Sequence, residues 1–248
     1  MLAVQHLARA PIVEALIDFR VRPRKDLDLT TFSSAFAPLS SRYPTQKPIH
    51  LVFAEVELKV GQSARQSLTE SKRGIRFESA DGLHVFQAQA EGFTLSRLRP
   101  YDSWESLFAE AQATWNEYVA VSRPESIIRV ATRFINRLEL PMPVNEFEKY
   151  LTIPPVVPKG LPELVSESFS RVVFHDEESG GAVIFSQAIE QPNPDAKALA
   201  VLIDIDVFRQ QNFDVSSTQP WDLLNKFREL KNRTFFASIT PKTLELVK

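Results

Sequence analysis

Ser126–Pro141, SIIRVATRFINRLELP, reads as one long β-strand with two chemically different faces. Strand side chains alternate with period two, so Ile128, Val130, Thr132, Phe134, Leu138 and Leu140 share one side. Arg129, Arg133, Arg137 and Glu139 share the other. The first side is expected to join the core, and the second to be solvated or to line a groove. Asn136 breaks the pattern by landing on the apolar side, where its carbonyl and NH2 groups both need partners. An organising hydrogen bond is expected there.

Working outward, residues 12–21 (IVEALIDFRV) form a second alternating segment, with Val13, Ala15, Ile17, Phe19 and Val21 inward and Glu14, Asp18 and Arg20 opposite. A helix is predicted over about 29–42, started by Asp28 or Thr30 and stopped before Pro44. Strands are predicted over 50–60, 72–79, 83–89 and 93–99, the last three separated by turn signals at Asp81-Gly82 and Glu91-Gly92. Asp102 is the expected N-cap of the next helix, with Glu105 as capping-box partner. Trp104, Leu107, Phe108, Ala111, Trp115, Tyr118 and Val119 recur along it at helical spacing. That aromatic-rich stripe reads as core packing rather than as a ligand platform.

Beyond the central strand, a short helix is predicted over 145–151, and TIPPVVPKGLP (152–162) is a proline-rich loop or gate. Strands follow over 167–175, 182–190 and 199–208, with turns at 179–181 and 191–195. A long helix is predicted over about 220–238, and a last short one from Pro241.

An internal repeat runs through this order. SADGLHVFQ (79–87) lines up with ESGGAVIFS (178–186), and DSWESLF (102–108) with QPWDLLN (219–225). Each half reads strand, helix, several strands, long helix. The predicted fold is therefore α+β, with two related lobes, 1–124 and 125–248, each a curled antiparallel sheet around a helix. The general manner is TATA-binding-protein-like or helix-grip-like. The two half-sheets can join into one continuous curved antiparallel sheet through the equivalent segments 12–21 and 127–140.

The chain has 248 residues, 44% hydrophobic and 24% charged, with formal charge −2 and no cysteine. Such a balance generates no strong field to attract nucleic acid or an anionic membrane, so nucleic acid is not the expected partner. The absence of cysteine removes disulfides, thiolate nucleophiles and cysteine metal sites. No apolar run approaches the length needed to cross a bilayer, and the opening MLAVQHLARAP lacks a signal-peptide pattern. A cytoplasmic location is expected.

PIVEALIDFRV (11–21), FTLSRLRPYDSWE (93–105), RFINRLELP (133–141), LIDIDVF (202–208) and FRELKNRTFFASITPKTLEL (227–246) together resemble one family over nearly the whole chain. It is the sporadically distributed family of uncharacterised bacterial and archaeal proteins of about this length. The resemblance carries no activity, cofactor or catalytic residue. It implies a patchy distribution of the kind seen for genes in mobile elements, defence loci or toxin–antitoxin cassettes.

Four constellations could carry chemistry. Glu14, Asp18 and Arg20 with Arg129, Arg133, Arg137 and Glu139 would line a groove between the lobes, whose arginine forks match carboxylate or phosphate; mutual ion pairing across neighbouring strands is the plainer explanation. Asp204 and Asp206 share one strand face and could hold Mg²⁺ or Mn²⁺, or pair with the central arginines. Glu55, Glu57 and Lys59 have the Glu-x-Glu-x-Lys pattern of triphosphate tunnel metalloenzymes, with Arg76, Arg97 and Arg99 available for phosphate. That motif normally opens its domain, whereas here a strand and a helix precede it. Arg20, Arg22, Arg24 and Lys25, with Lys72, Arg73 and Arg76, form a basic turn that suits either a nucleic-acid backbone or solvent. His6, His50, His84 and His175 share no metal-ligand spacing.

The expectation is a non-catalytic binding module without a cofactor. It grips an anionic small molecule or a partner protein segment in the inter-lobe groove, using Arg129, Arg133, Arg137, Asn136, Glu14, Asp18 and Arg20, in a defence or toxin–antitoxin setting. The alternative is a metal-dependent phosphohydrolase or nucleotidyl enzyme with Mg²⁺ at Glu55 and Glu57 or at Asp204 and Asp206. A homodimer is compatible with the stripe Phe227, Leu230, Thr234 and Phe235, which can dock the sheet or a second chain.

Overall fold

In a computed structural model of the chain, β1 (Ile12–Arg22) and β6 (Ser126–Pro141) lie side by side at the middle of one antiparallel sheet. The structure describes residues 7, 9–30, 32–57, 65–144, 146–161, 165–190 and 197–248, without the side chains of residues 33, 52–57 and 65–70. From β1 the sheet runs outward through β5 (Gly92–Leu98), β4 (His84–Gln89), β3 (Arg65–Glu78) and β2 (Thr45–Glu57). From β6 it runs through β9 (Ala198–Phe213), β8 (Gly181–Ile189) and β7 (Ser168–Asp176). The α+β class and the joining of the half-sheets into one antiparallel sheet through β1 and β6 are thus as expected.

The register of the central pair carries the same relation between the halves. Phe19 pairs with Val130 and Ala15 with Phe134, on either side of the Ile17–Thr132 pair. Thr132 Oγ1 donates to the Leu16 carbonyl at 2.9 Å. The helices α2 (Trp104–Ser122) and α3 (Gln219–Ser238) cover one face. α2 turns Leu107, Ala111, Trp115 and Tyr118 inward, and α3 turns Leu224, Phe227, Leu230 and Phe235 inward. Removing this apolar surface from water is the main term holding the layers together. The aromatic contacts cross over between halves: Trp104 of α2 packs on Phe134 of β6 at 6.3 Å between ring centroids, and Trp221 of α3 packs on Phe19 of β1 at 5.0 Å. Phe19 also receives Trp115 edge-on at 4.7 Å.

Local departures from the sequence reading have physical causes. A register shift between Ile127 and Arg129 reverses the alternation there, so Ile127 enters the core and Ile128 is exposed. A similar shift between Ile12 and Glu14 brings Ile12 into the core. The helix expected over 29–42 is instead α1 (Phe32–Ala35) followed by a 3-10 turn, Ala37–Ser41, where Pro38 occupies the first turn. Asp28 accepts hydrogen bonds from Thr30 in a local turn instead of capping that helix. Ser103, not Asp102, caps α2, accepting from the Ser106 N–H at 3.1 Å, while Glu105 turns away to Arg228. The helix expected over 145–151 is only a 3-10 turn, Phe147–Lys149. β2 begins at Thr45 and tolerates Pro48 because it is an edge strand with no neighbour on one side.

The second edge, β7, exposes Phe169, Val172, Val173 and Phe174. Among the described residues no helix is long and apolar enough to cross a membrane.

Candidate functional site

The uncovered face of the sheet carries the arginines of β6, and each is held by carboxylates of its neighbours. Arg129 bridges Asp18 of β1 at 3.0 Å and Asp206 of β9 at 2.7 Å, and its guanidinium lies 4.6 Å from the Phe208 ring centroid. Asp18 also pairs with Arg20 at 3.3 Å and accepts from Thr94 Oγ1 at 2.8 Å. Arg133 forks onto Asp204, its Nε donating at 2.8 Å, and Arg137 pairs with Glu190 at 3.0 Å and Glu139 at 3.8 Å. Glu14 lies on the same face and adds to the field that, with the Asp204 hydrogen bonds, raises the Arg133 pKa. Burial raises the Asp206 pKa against the opposing pull of Arg129, and its Oδ1 is buried without a hydrogen-bond partner among the described residues.

The constellation read from the sequence is therefore assembled in space, as a chain of alternating charges across β1, β6 and β9. Asp204 and Asp206 each face a separate arginine. Among the described residues no group of three or more His, Asp or Glu side chains could hold a metal ion. Lys59 lies outside the described residues, as do the side chains of Glu55 and Glu57, whose backbones belong to edge strand β2. Arg76 pairs with Glu78, and Arg97 sits buried beside Asp102 at 3.5 Å. The turn expected over 191–195 is also outside the described residues.

Asn136 points to the other side, its Nδ2 donating to the Ile203 carbonyl at 3.1 Å. There it borders a cavity of about 420 Å³ between β6, α3 and the segment that enters α2. β6 supplies Phe134, the α2 entry supplies Tyr101 and Trp104, and α3 supplies Arg228, Lys231 and Phe235. Chain punctuation positions these groups. Pro100 breaks β5, Ser103 caps the first turn of α2, and Trp104 Nε1 donates to Asn225 of α3 at 3.0 Å. The two helices are thereby tied together beside the cavity.

Lys231 is the unusual member. It follows Phe227 and precedes Phe235 by one helical turn each, so it lies on the inward stripe of α3, and it is only 8% exposed. Its ammonium sits 3.6 Å from the Phe134 ring centroid. No hydrogen bond or ion pair reaches it among the described residues. Burial pushes its pKa down to about 7, with the nearby Arg228 charge acting in the same direction. Arg228 itself is satisfied by Glu105 at 2.9 Å and lies over the Trp104 ring. Tyr101 has its hydroxyl pKa raised by burial.

Sequence reasoning missed Lys231 and Tyr101 and read Trp104 only as core. One signal was available: a lysine in the middle of an apolar stripe, FRELKNRTFF, at one-turn spacing from a phenylalanine on each side. No protein-family model matches the chain, and no curated protein does.

Proposed function

We propose that the protein binds an anionic small molecule in the cavity between the two halves of the fold. The observation that carries this reading is Lys231, a buried amine on the cavity wall with no carboxylate partner among the described residues. An uncompensated buried charge costs several kcal/mol, and a bound anion supplies the missing counter-charge. The volume of about 420 Å³ falls within the range of small-molecule sites, roughly 300–1,000 Å³. Tyr101, Trp104 and Phe134 give the cavity aromatic walls suited to a flat apolar body, and the first turn of α2 adds partial positive charge. The arginines of the open sheet face, engaged with their own carboxylates, take a structural part in this reading.

Thermal melting against carboxylates, phosphates and nucleotides tests it. A ligand that binds only the folded chain stabilises it by about 2.7 kcal/mol at one hundred times Kd, and the melting point rises with ligand concentration. The expected shift is absent in Lys231→Met and retained in Arg133→Ala. No shift with any anion, or one equal in Lys231→Met, would overturn the proposal.

A further inference from the structure

We propose that Lys231 captures its ligand covalently, its side-chain nitrogen condensing with the carbonyl carbon of an anionic aldehyde or 2-oxo acid to form an imine. This rests on the reading of the cavity as an anion site and names the ligand class. Imine formation needs an amine that is reachable, unprotonated for part of the time and not locked in an ion pair. Lys231 lines the cavity and has no ion-pair partner among the described residues.

The charged and titratable groups around the cavity leave the amine unpaired. On α3, Arg228 is a like charge one turn away. On α2, Glu105 is taken by Arg228, and at the α2 entry Asp102 sits beside Arg97. Arg9, from the segment before β1, donates to the Lys248 carbonyl at 2.9 Å. Arg99 lines the cavity with no ion pair among the described residues and can meet the ligand's acid group. With its pKa pushed down to about 7 by burial, Lys231 is neutral for far more of the time near neutral pH than an ordinary surface lysine.

The step balances without a redox partner. The nitrogen lone pair adds to the carbonyl carbon, and a proton moves from nitrogen to oxygen to give a carbinolamine. The C–O bond then breaks, the oxygen leaves as water and the C=N bond forms. Tyr101 lines the same cavity, and its hydroxyl, kept protonated by burial, can donate to the departing oxygen and be reprotonated from nitrogen.

The test uses the full chain with matched probes: phenylpyruvate against phenyllactate, and 4-carboxybenzaldehyde against 4-carboxybenzyl alcohol. Binding is followed by calorimetry, and adducts are trapped with cyanoborohydride and located by peptide mass spectrometry. The expected result is a reduced adduct concentrated on the Lys231 peptide with the carbonyl probes, with the alcohols binding more weakly. Lys231→Arg should lose the adduct; wild-type labelling decides the matter even if that variant does not fold. Equal binding of carbonyl and alcohol probes with no adduct at Lys231 would overturn the imine and leave the anion site standing. Labelling spread over surface lysines without preference for Lys231 would also overturn it. If no probe binds or labels, both proposals fall.

Discussion

Lys231 makes the folded chain sensitive to pH even without ligand. Its ordinary pKa is 10.5, the value it regains on unfolding, and the folded value is about 7. Between those two values the unfolded chain binds more protons than the folded one, so stability climbs as pH rises from about 7 to about 10.5. Below that window the amine is charged in both states and the full burial penalty is present, softened by the face of Phe134. Lys231→Met keeps an unbranched side chain one atom shorter and removes the charge. It should stabilise the chain by a few kcal/mol below pH 7, and the gain should shrink towards pH 10. Urea denaturation of both proteins across this range measures it; a gain independent of pH would exclude Lys231 as its source. The Asp18–Arg129–Asp206 group differs in kind, because its charges are mutually compensated and its worth lies in fixing the register of three strands.

At the scale of elements, the long strands depend on a few close backbone approaches. Gly74 pairs with Gln89 across β3 and β4, and a Cβ at Gly74 would collide with the neighbouring Ala88 carbonyl oxygen. Backbone cannot yield as a flexible side chain does, so Gly74→Ala should cost about 2 kcal/mol. The measurement is the urea midpoint, together with faster amide exchange in β3 and β4; an unchanged midpoint would show that the strands separate without cost.

Elements were readable in the sequence where one face is buried and the other is wet. Away from their bulges the central strands β1, β6 and β9 alternate, which sets the arginines and carboxylates on one face. β3 was read only from Lys72 because its first half, RQSLTES, has too few apolar residues to show a period. Bulges escaped because one inserted residue exchanges the faces locally without altering composition, as Ile127 and Ile128 illustrate. The cavity escaped for a different reason. Tyr101, Phe134 and Lys231 stand far apart in sequence, and only the crossing of α2 and α3 over β6 brings them together.

For the whole molecule, the β1–β6 seam decides how the chain comes apart. Each half uses the other to cover the edge of its first strand, and each long helix sends a tryptophan onto the other half's central phenylalanine. Unfolding should therefore be a single cooperative transition, with tryptophan fluorescence and far-ultraviolet circular dichroism coincident in urea. Two separated transitions would show that the halves are energetically independent.

The crossed aromatic contacts also show why the space over Phe134 is open while that over Phe19 is filled. Over Phe19 the space is closed by Trp115 and Trp221. Over Phe134, the repeat alignment that matches Trp104 with Trp221 sets Asn232 where the first half has Trp115, and Lys231 where it has Thr114. The repeat is thus a broken symmetry with a division of labour: one copy is plugged with indole and serves as ballast, while its twin trades that indole for a short amide and an amine, and keeps an interior.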